Sequence, residues 1–223
     1  MKMKNLILPF LIAGMIYGVC FAGERVELKD ENDRLNYSLG FQIGDNLRRQ
    51  GITVRPDVLV KGIQDAISAS EPLMSLDEMK KKLASKRQKK RQMTEQYRQE
   101  GTEFLAENAK KLGVVTLPSG LQYKVIREGT GKTPGPNDSV TVHYRGTLIN
   151  GQEFDSSYRK GEPATFKVSG VIRGWAEALQ LMKEGAYWQL SIPPNLAYGQ
   201  RGVLADRTLI FDVELISVES AKK

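Results

Sequence analysis

One imidazole and one thiol make up the chain's whole supply of these two nucleophilic groups: His143 and Cys20 are the sole residues of their kinds among 223. Any Ser–His or Cys–His machinery must therefore use His143, and a zinc site assembled from His and Cys ligands is excluded by number. His143 falls on the polar phase of an alternating run, Val140-Thr141-Val142-His143-Tyr144, which turns it toward solvent. No G-x-S-x-G elbow, phosphate-cradling glycine loop or dinucleotide fingerprint is present, and no spacing of Asp and Glu singles out a metal or glycosidase pair. Hydrolase and oxidoreductase readings thus have little to stand on, and neither a cofactor nor a metal is expected. The chain concentrates instead aromatic and apolar residues around one acid: Tyr144, Phe154, Asp155, Phe166, Val171, Ile172, Trp175, Tyr198 and Phe211. Such a set can fill a core, or it can line a pocket that holds an apolar group against a few polar contacts. Composition and spacing leave both open.

These residues sit on or beside different elements of one region. From Val114 onward, glycine, proline and short alternating runs replace helical periodicity. Leu121 to Glu128, Val140 to Leu148, Ala164 to Val168, Ala186 to Ile192 and Thr208 to Ser217 read as strands. Leu209, Phe211, Val213 and Leu215 share one face of the last. One short helix, about Trp175 to Met182, lies among them. Many strands and one helix in 114–223 predict an antiparallel α+β domain.

The preceding residues are helical. Leu35, Leu39, Ile43 and Leu47 recur at four-residue spacing after capping residues Asp30 and Asn32, and Gly51 stops the run. Gly40 and Gly44 leave room for another backbone. Pro56 suits the first position of a second helix whose apolar face carries Val58, Leu59, Ile63, Ala66 and Ile67. A capping box, Ser75-Leu76-Asp77-Glu78, opens a third helix that has no proline before Gly113. Taken 3 and 4 residues apart from Leu76, its seam is apolar at both ends and charged in the middle. Between Lys80 and Arg91 eight of twelve positions are basic and none is acidic. A solvated connecting helix accounts for most of this run, and a surface for acidic partners or anionic membrane is the alternative. The expected organisation is a helical N-terminal region over 23–74, a long connecting helix over 75–113 and the α+β domain over 114–223.

The first 22 residues read as an address. Lys2 and Lys4 precede an apolar stretch from Leu6 to about Val19, and Cys20-Phe21-Ala22 supplies small residues for a cut after Ala22. This predicts a secretory signal peptide; the stretch is short of the roughly 20 residues a membrane span needs. Cleavage lowers the net charge from +7 to +5 and removes Cys20, leaving a thiol-free chain suited to an oxidising compartment. For an exported protein the basic run does not indicate nucleic acid. Outside that run the mature chain sums to −3.

The decisive signal is the order of several short motifs. Val142-His143-Tyr144-Arg145-Gly146, Gly151-Gln152-Glu153-Phe154-Asp155-Ser156-Ser157, Val171-Ile172-Arg173-Gly174-Trp175, Leu196-Ala197-Tyr198-Gly199 and Thr208-Leu209-Ile210-Phe211-Asp212-Val213-Glu214-Leu215 resemble the FKBP class of peptidyl-prolyl cis-trans isomerases. Leu117-Pro118-Ser119-Gly120-Leu121-Gln122-Tyr123-Lys124-Val125-Ile126 looks like its bacterial members. A signal peptide, N-terminal helices and a long connecting helix are similar in layout to the macrophage infectivity potentiator (Mip) subgroup of Gram-negative bacteria. The resemblance implies a twisted antiparallel sheet wrapped around a short helix, with a proline pocket between them. It implies Trp175 as the floor, Tyr144, Phe154, Val171, Ile172 and Phe211 as walls, hydrogen bonds to substrate from the Ile172 N–H and the Tyr198 hydroxyl, and Asp155 at the edge. Asp155 and Tyr198 are then the catalytic candidates. It further implies proline-containing polypeptides as substrates, macrolides such as rapamycin as ligands, and a homodimer through the N-terminal helices. The expected location is the periplasm or the outer membrane and cell surface, with peripheral outer-membrane association. The expected role is folding of exported proteins; the alternative is a chaperone or surface interaction factor with weak isomerase activity. Two departures stand out. Lys160 is the nearest match to the basic partner of the pocket acid, with Arg159 one step off. Ala164 replaces a wall aromatic, and the segment Gln200–Arg207 is short and lacks the usual prolines, which predicts altered or weaker peptide selectivity.

Overall fold

A computed structural model describes residues 26–221; the predicted signal peptide lies outside them. The chain divides into two compact units, the first ending at Ile43 and the second beginning at Gly44. Helix α1, Glu31–Arg49, starts where expected: the Asp30 carboxylate accepts the Asp33 N–H at 2.7 Å, and acids in the first turn and Arg48 and Arg49 in the last complement the helix dipole. No α1 residue is buried, and Leu35, Leu39 and Ile43 are exposed.

In the second unit α2, Pro56–Ile67, has its proline in the first turn. Helix α3, Leu76–Asn108, has Ser75 as N-cap, accepting the Glu78 N–H at 3.2 Å. Its 33 residues extend about 50 Å. Every residue from Lys80 to Met93 is exposed, as the solvated-helix reading requires. The last turns are anchored. Gly101 packs where a Cβ would lie 2.5 Å from Thr208 Oγ1. The buried Asn108 amide donates to Gln122 and Ser191, and Gln122 donates to the Leu105 carbonyl.

The rest is one antiparallel sheet. Its strands are β1 Val114–Thr116, β2 Gln122–Arg127, β3 Ser139–Leu148, β4 Glu153–Ser156, β5 Ala164–Lys167, β6 Tyr187–Ile192 and β7 Leu209–Glu219, in the order β1-β2-β6-β7-β3-β4. Strand β5 pairs with the first half of β3, and β4 with its second half. The expected alternation holds: Val140, Val142, Tyr144 and Leu148 are buried on β3, and Leu209, Phe211, Val213 and Leu215 on β7. Helix α4, Arg173–Leu179, packs against this face. It begins two residues before the expected start, because extended Ile172 is its N-cap, and ends three residues early. Met182 is fully buried, so the apolar pattern runs on past the helix into a turn held by the Met182 N–H on the Ala178 carbonyl. Among the described residues no helix is long and apolar enough to cross a membrane.

Candidate functional site

Trp175 reaches the centre of the sheet because α4 lies unusually close to β6. A Cβ on Gly174 would meet Ile192 Cγ2 at 2.5 Å, so only glycine allows that approach. The indole is 4% exposed and meets three rings nearly at right angles: Tyr144 at 5.3 Å and 85°, Phe166 at 6.0 Å and 87°, Phe211 at 5.2 Å and 82°. A plate with three perpendicular walls is a box, and its open side is a cavity of about 280 Å³. Tyr144, Asp155, Phe166, Gly170, Val171, Ile172, Trp175, Tyr198 and Phe211 line it.

Seven of the eight site residues expected from sequence thus meet in one cavity. Phe154 stands one layer back, packed edge-on against Phe211 at 5.5 Å and 89°. Phe166 takes the wall position instead: on β5 its side chain shares the face of β3 that carries Tyr144, 6.0 Å away. Alternation in Ala164-Thr165-Phe166 was the available signal.

The polar rim is short of internal partners. The Tyr144 hydroxyl donates to Asp155 Oδ2 at 2.6 Å, and the Ser156 N–H donates to Asp155 Oδ1 at 2.9 Å. Arg159 and Lys160 both stand 4.0 Å from Oδ1, so the Tyr144 hydroxyl is the close partner of Asp155 and the two cations share the more distant place. Burial, and then the Asp155 carboxylate, push the Tyr144 phenol well above its ordinary range; the same causes raise Tyr198. Both hydroxyls remain donors at neutral pH. Tyr198 is 44% exposed at the cavity edge. The Ile172 N–H, at the N-cap of α4, finds no acceptor among the described residues. The Trp175 indole N–H is buried without a partner.

His143 differs from its solvent-facing expectation. It is half-buried, stacked on Tyr158 at 4.6 Å, with Nδ1 3.0 Å from Ser157 Oγ. Ser157 is fully buried and its hydroxyl also bonds the Tyr144 main chain, so this Ser–His pair cannot reach a substrate. Its role is to hold the strand that carries Tyr144. Among the described residues no cluster of His, Cys, Asp and Glu could hold a metal.

Sequence reasoning missed how the segment after Tyr198 is held. The buried Asp206 accepts from Arg98 at 2.8 Å and Thr94 at 3.4 Å on α3, and its own N–H donates to the Gly199 carbonyl at 2.7 Å. Asp206 has φ +59°, a left-handed conformation that Asp tolerates better than most residues. Arg207 stacks over Tyr97 at 3.8 Å. Contacts across more than a hundred residues leave no local pattern to read.

Residues 130–216 match the family model for FKBP-type peptidyl-prolyl cis-trans isomerase, and residues 32–125 match the domain amino terminal to it. The chain is 44% identical to the outer membrane protein MIP of Legionella longbeachae, over 99% of this chain and all of that protein. It is 44% identical to the peptidyl-prolyl cis-trans isomerase Mip of Coxiella burnetii, covering 97% and 99%. The crystal structure of FkpA from Escherichia coli superposes with a TM-score of 0.60 at 36% identity, covering 88% of this chain and all of that one.

Proposed function

The chain belongs to the FKBP-type peptidyl-prolyl cis-trans isomerases, and from that premise we propose how this member uses its cavity. The proline ring of a substrate rests on Trp175, walled by Tyr144, Phe166, Val171, Ile172 and Phe211, with Phe154 supporting Phe211 from behind. The Ile172 N–H and the Tyr198 hydroxyl donate to carbonyls of the substrate chain. Asp155 stands at the edge, beside the turning amide. The observation that carries this reading is the three-walled box on Trp175 with an unpartnered N–H at its rim.

Rotation about the C–N bond faces a barrier of about 18–20 kcal/mol because the planar amide is a resonance hybrid. No bond to a nucleophile need form. As the bond turns, the carbonyl oxygen loses negative charge and the nitrogen gains a lone pair, so the twisted amide is less polar than the planar one. An apolar cavity favours the less polar form. Donors outside the rotating bond hold the chain, and rings hold the proline while its carbonyl sweeps. Each tenfold in rate requires about 1.4 kcal/mol of preference for the twisted form. His143, sequestered by Ser157, has no part in this.

The protein acts on polypeptides of the cell envelope or outside it, in the periplasm or at the outer membrane, and assists their folding. The Mip and FkpA similarities and the apolar export segment support this reading. It is a homodimer through its N-terminal helices: α1 leaves Leu35, Tyr37, Leu39, Phe41 and Ile43 exposed, far more apolar surface than one helix holds in water alone. An apolar cavity of about 570 Å³ between α2 and the start of α3, lined by Val58, Leu73, Leu76 and Met79, is a second face for a partner copy.

The test is isomerisation of a short proline peptide with and without rapamycin. Turnover suppressed by the macrolide supports the pocket; turnover that ignores it overturns the assignment. The short Gln200–Arg207 segment favours a second reading, a binding module that turns over weakly. Asp155→Leu and Tyr198→Phe separate the two: as an isomerase the protein loses turnover, as a binder it keeps client binding and had little turnover to lose.

A further inference from the structure

The basic run of α3 is not uniform around the helix. Arg87, Arg91, Thr94 and Arg98 lie at i, i+4, i+7 and i+11, on one face. With Lys90, Glu95, Gln200 and Asp206 they line a cleft of about 430 Å³ between α3 and the segment following Tyr198. Asp206 is consumed by Arg98, which it receives at 2.8 Å. Arg87, Lys90 and Arg91 pair with no carboxylate among the described residues, leaving Glu95 as the one acid facing three cations. Gln200, which lines the cleft, is two residues from Tyr198, which lines the Trp175 cavity, so their Cα atoms lie within about 7 Å of each other.

Resting on the isomerase reading above, we propose that this cleft is an extension of the substrate site that takes an acidic stretch of the client polypeptide, two to four residues from the bound proline. Carboxylates there meet a concave, cationic wall held rigid by the Arg98–Asp206 pair, beside the place where the chain leaves the proline pocket. A flat membrane surface fits less well, because these cations line a recess rather than a plane. Of the other lysines of the run, Lys82 and Lys89 fall on the opposite side of the helix, while Lys80 continues this face two turns earlier, outside the cleft.

The test uses the full chain and three proline peptides alike except for four glutamates, four glutamines or four lysines beginning two to four residues from proline, on either side. The expected result is a KM about five- to tenfold lower for the glutamate peptide than for the glutamine peptide at low salt, with kcat unchanged. That advantage falls below about twofold in the triple variant R87Q/K90Q/R91Q, and is screened away by added salt. These positions are exposed and glutamine keeps helix propensity, so turnover of the glutamine peptide stays as in wild type. Equal KM for glutamate and glutamine peptides, or an advantage that survives the triple variant, overturns the proposal. So does wild-type binding to phosphatidylglycerol vesicles, lost in the triple variant, that the glutamate peptide fails to compete. Fluorescence anisotropy of the labelled glutamate peptide reads the cleft without turnover. If no peptide is isomerised, the isomerase reading fails while the anisotropy still decides the cleft.

Discussion

Replacing Gly146 by alanine should damage the pocket without replacing any residue that lines it. Gly146 lies on β3 between Asp155 of β4 and Phe211 of β7, paired on both sides, so its backbone cannot retreat. An added Cβ would come to 2.7 Å from Phe154 Cζ, 2.7 Å from Phe211 Cε1 and 2.9 Å from Phe154 Cε2. Carbon atoms pack at about 3.5–4.0 Å, so both rings must yield by roughly 1 Å. Phe154 is half-buried and can tilt. Phe211 is 4% exposed and held between Phe154 and Trp175, so any displacement presses it on the indole. Overpacking of this kind costs about 1–3 kcal/mol. Removing a strand glycine returns about 0.5–1 kcal/mol of backbone entropy. At the middle of both ranges the net loss is about 1 kcal/mol, a Tm roughly 4–8 °C lower for a domain of this size. Thermal unfolding by near-ultraviolet circular dichroism measures it, and the protease-coupled isomerisation assay should show KM for a proline peptide raised by about fivefold. Adding Phe154→Leu, which removes two of the three close contacts, should recover part of the Tm loss. A Gly146→Ala protein with Tm within about 2 °C of wild type and unchanged KM would refute the reasoning, because the rings would then have had room after all.

Three further outcomes are expected. The raised phenols of Tyr144 and Tyr198 keep their protons in the fold after an unfolded tyrosine would lose them near its ordinary value, so their contribution to stability is complete below about pH 10 and is lost as pH rises through the folded values; Tyr198→Phe should flatten part of the alkaline fall in Tm, while wild-type kcat/KM stays level from about pH 7 to 9. Asp206→Ala removes a buried acceptor of Arg98 and places a Cβ residue without Asp's tolerance at φ +59°, so it should lower stability by about 1–3 kcal/mol, Asp206→Asn by clearly less, measured by urea unfolding. Deleting Glu24 to Glu71 should give a monomer in sedimentation that still isomerises short peptides; a deletion product that remains dimeric would contradict the assignment of the dimer to the N-terminal helices.

What could be read in advance follows physical range. Strands β3 and β7 were legible because one face of each is buried, and burial writes itself into alternation. Helix α3 was legible from its cap and its uninterrupted run. Strand β1 was not, because three residues, two of them exposed, carry no period. The four-residue β4 could have been found from Asn150-Gly151, a hairpin signal that Gly151 honours with φ +84°. At the site, the pocket came from motif order, since aromatic residues alone could equally have been core. Phe154 and Phe166 exchanged layers because both are phenylalanines near the same floor, and depth in a sheet is a tertiary property. The hold of Arg98 and Thr94 on Asp206 joins residues whose proximity is decided only when the helix docks.

Helix α3 is fastened to the sheet along its last turns, through Tyr97, Gly101, Leu105 and Asn108, and bare over the turns before. Mechanically this is a cantilever clamped at one end. A load applied to the catalytic body is transmitted without slippage to the clamp, and compliance is concentrated in the unsupported span, where like charges already push neighbouring turns apart. Screening those charges with salt should therefore raise the helicity of the arm while leaving the clamp as it was.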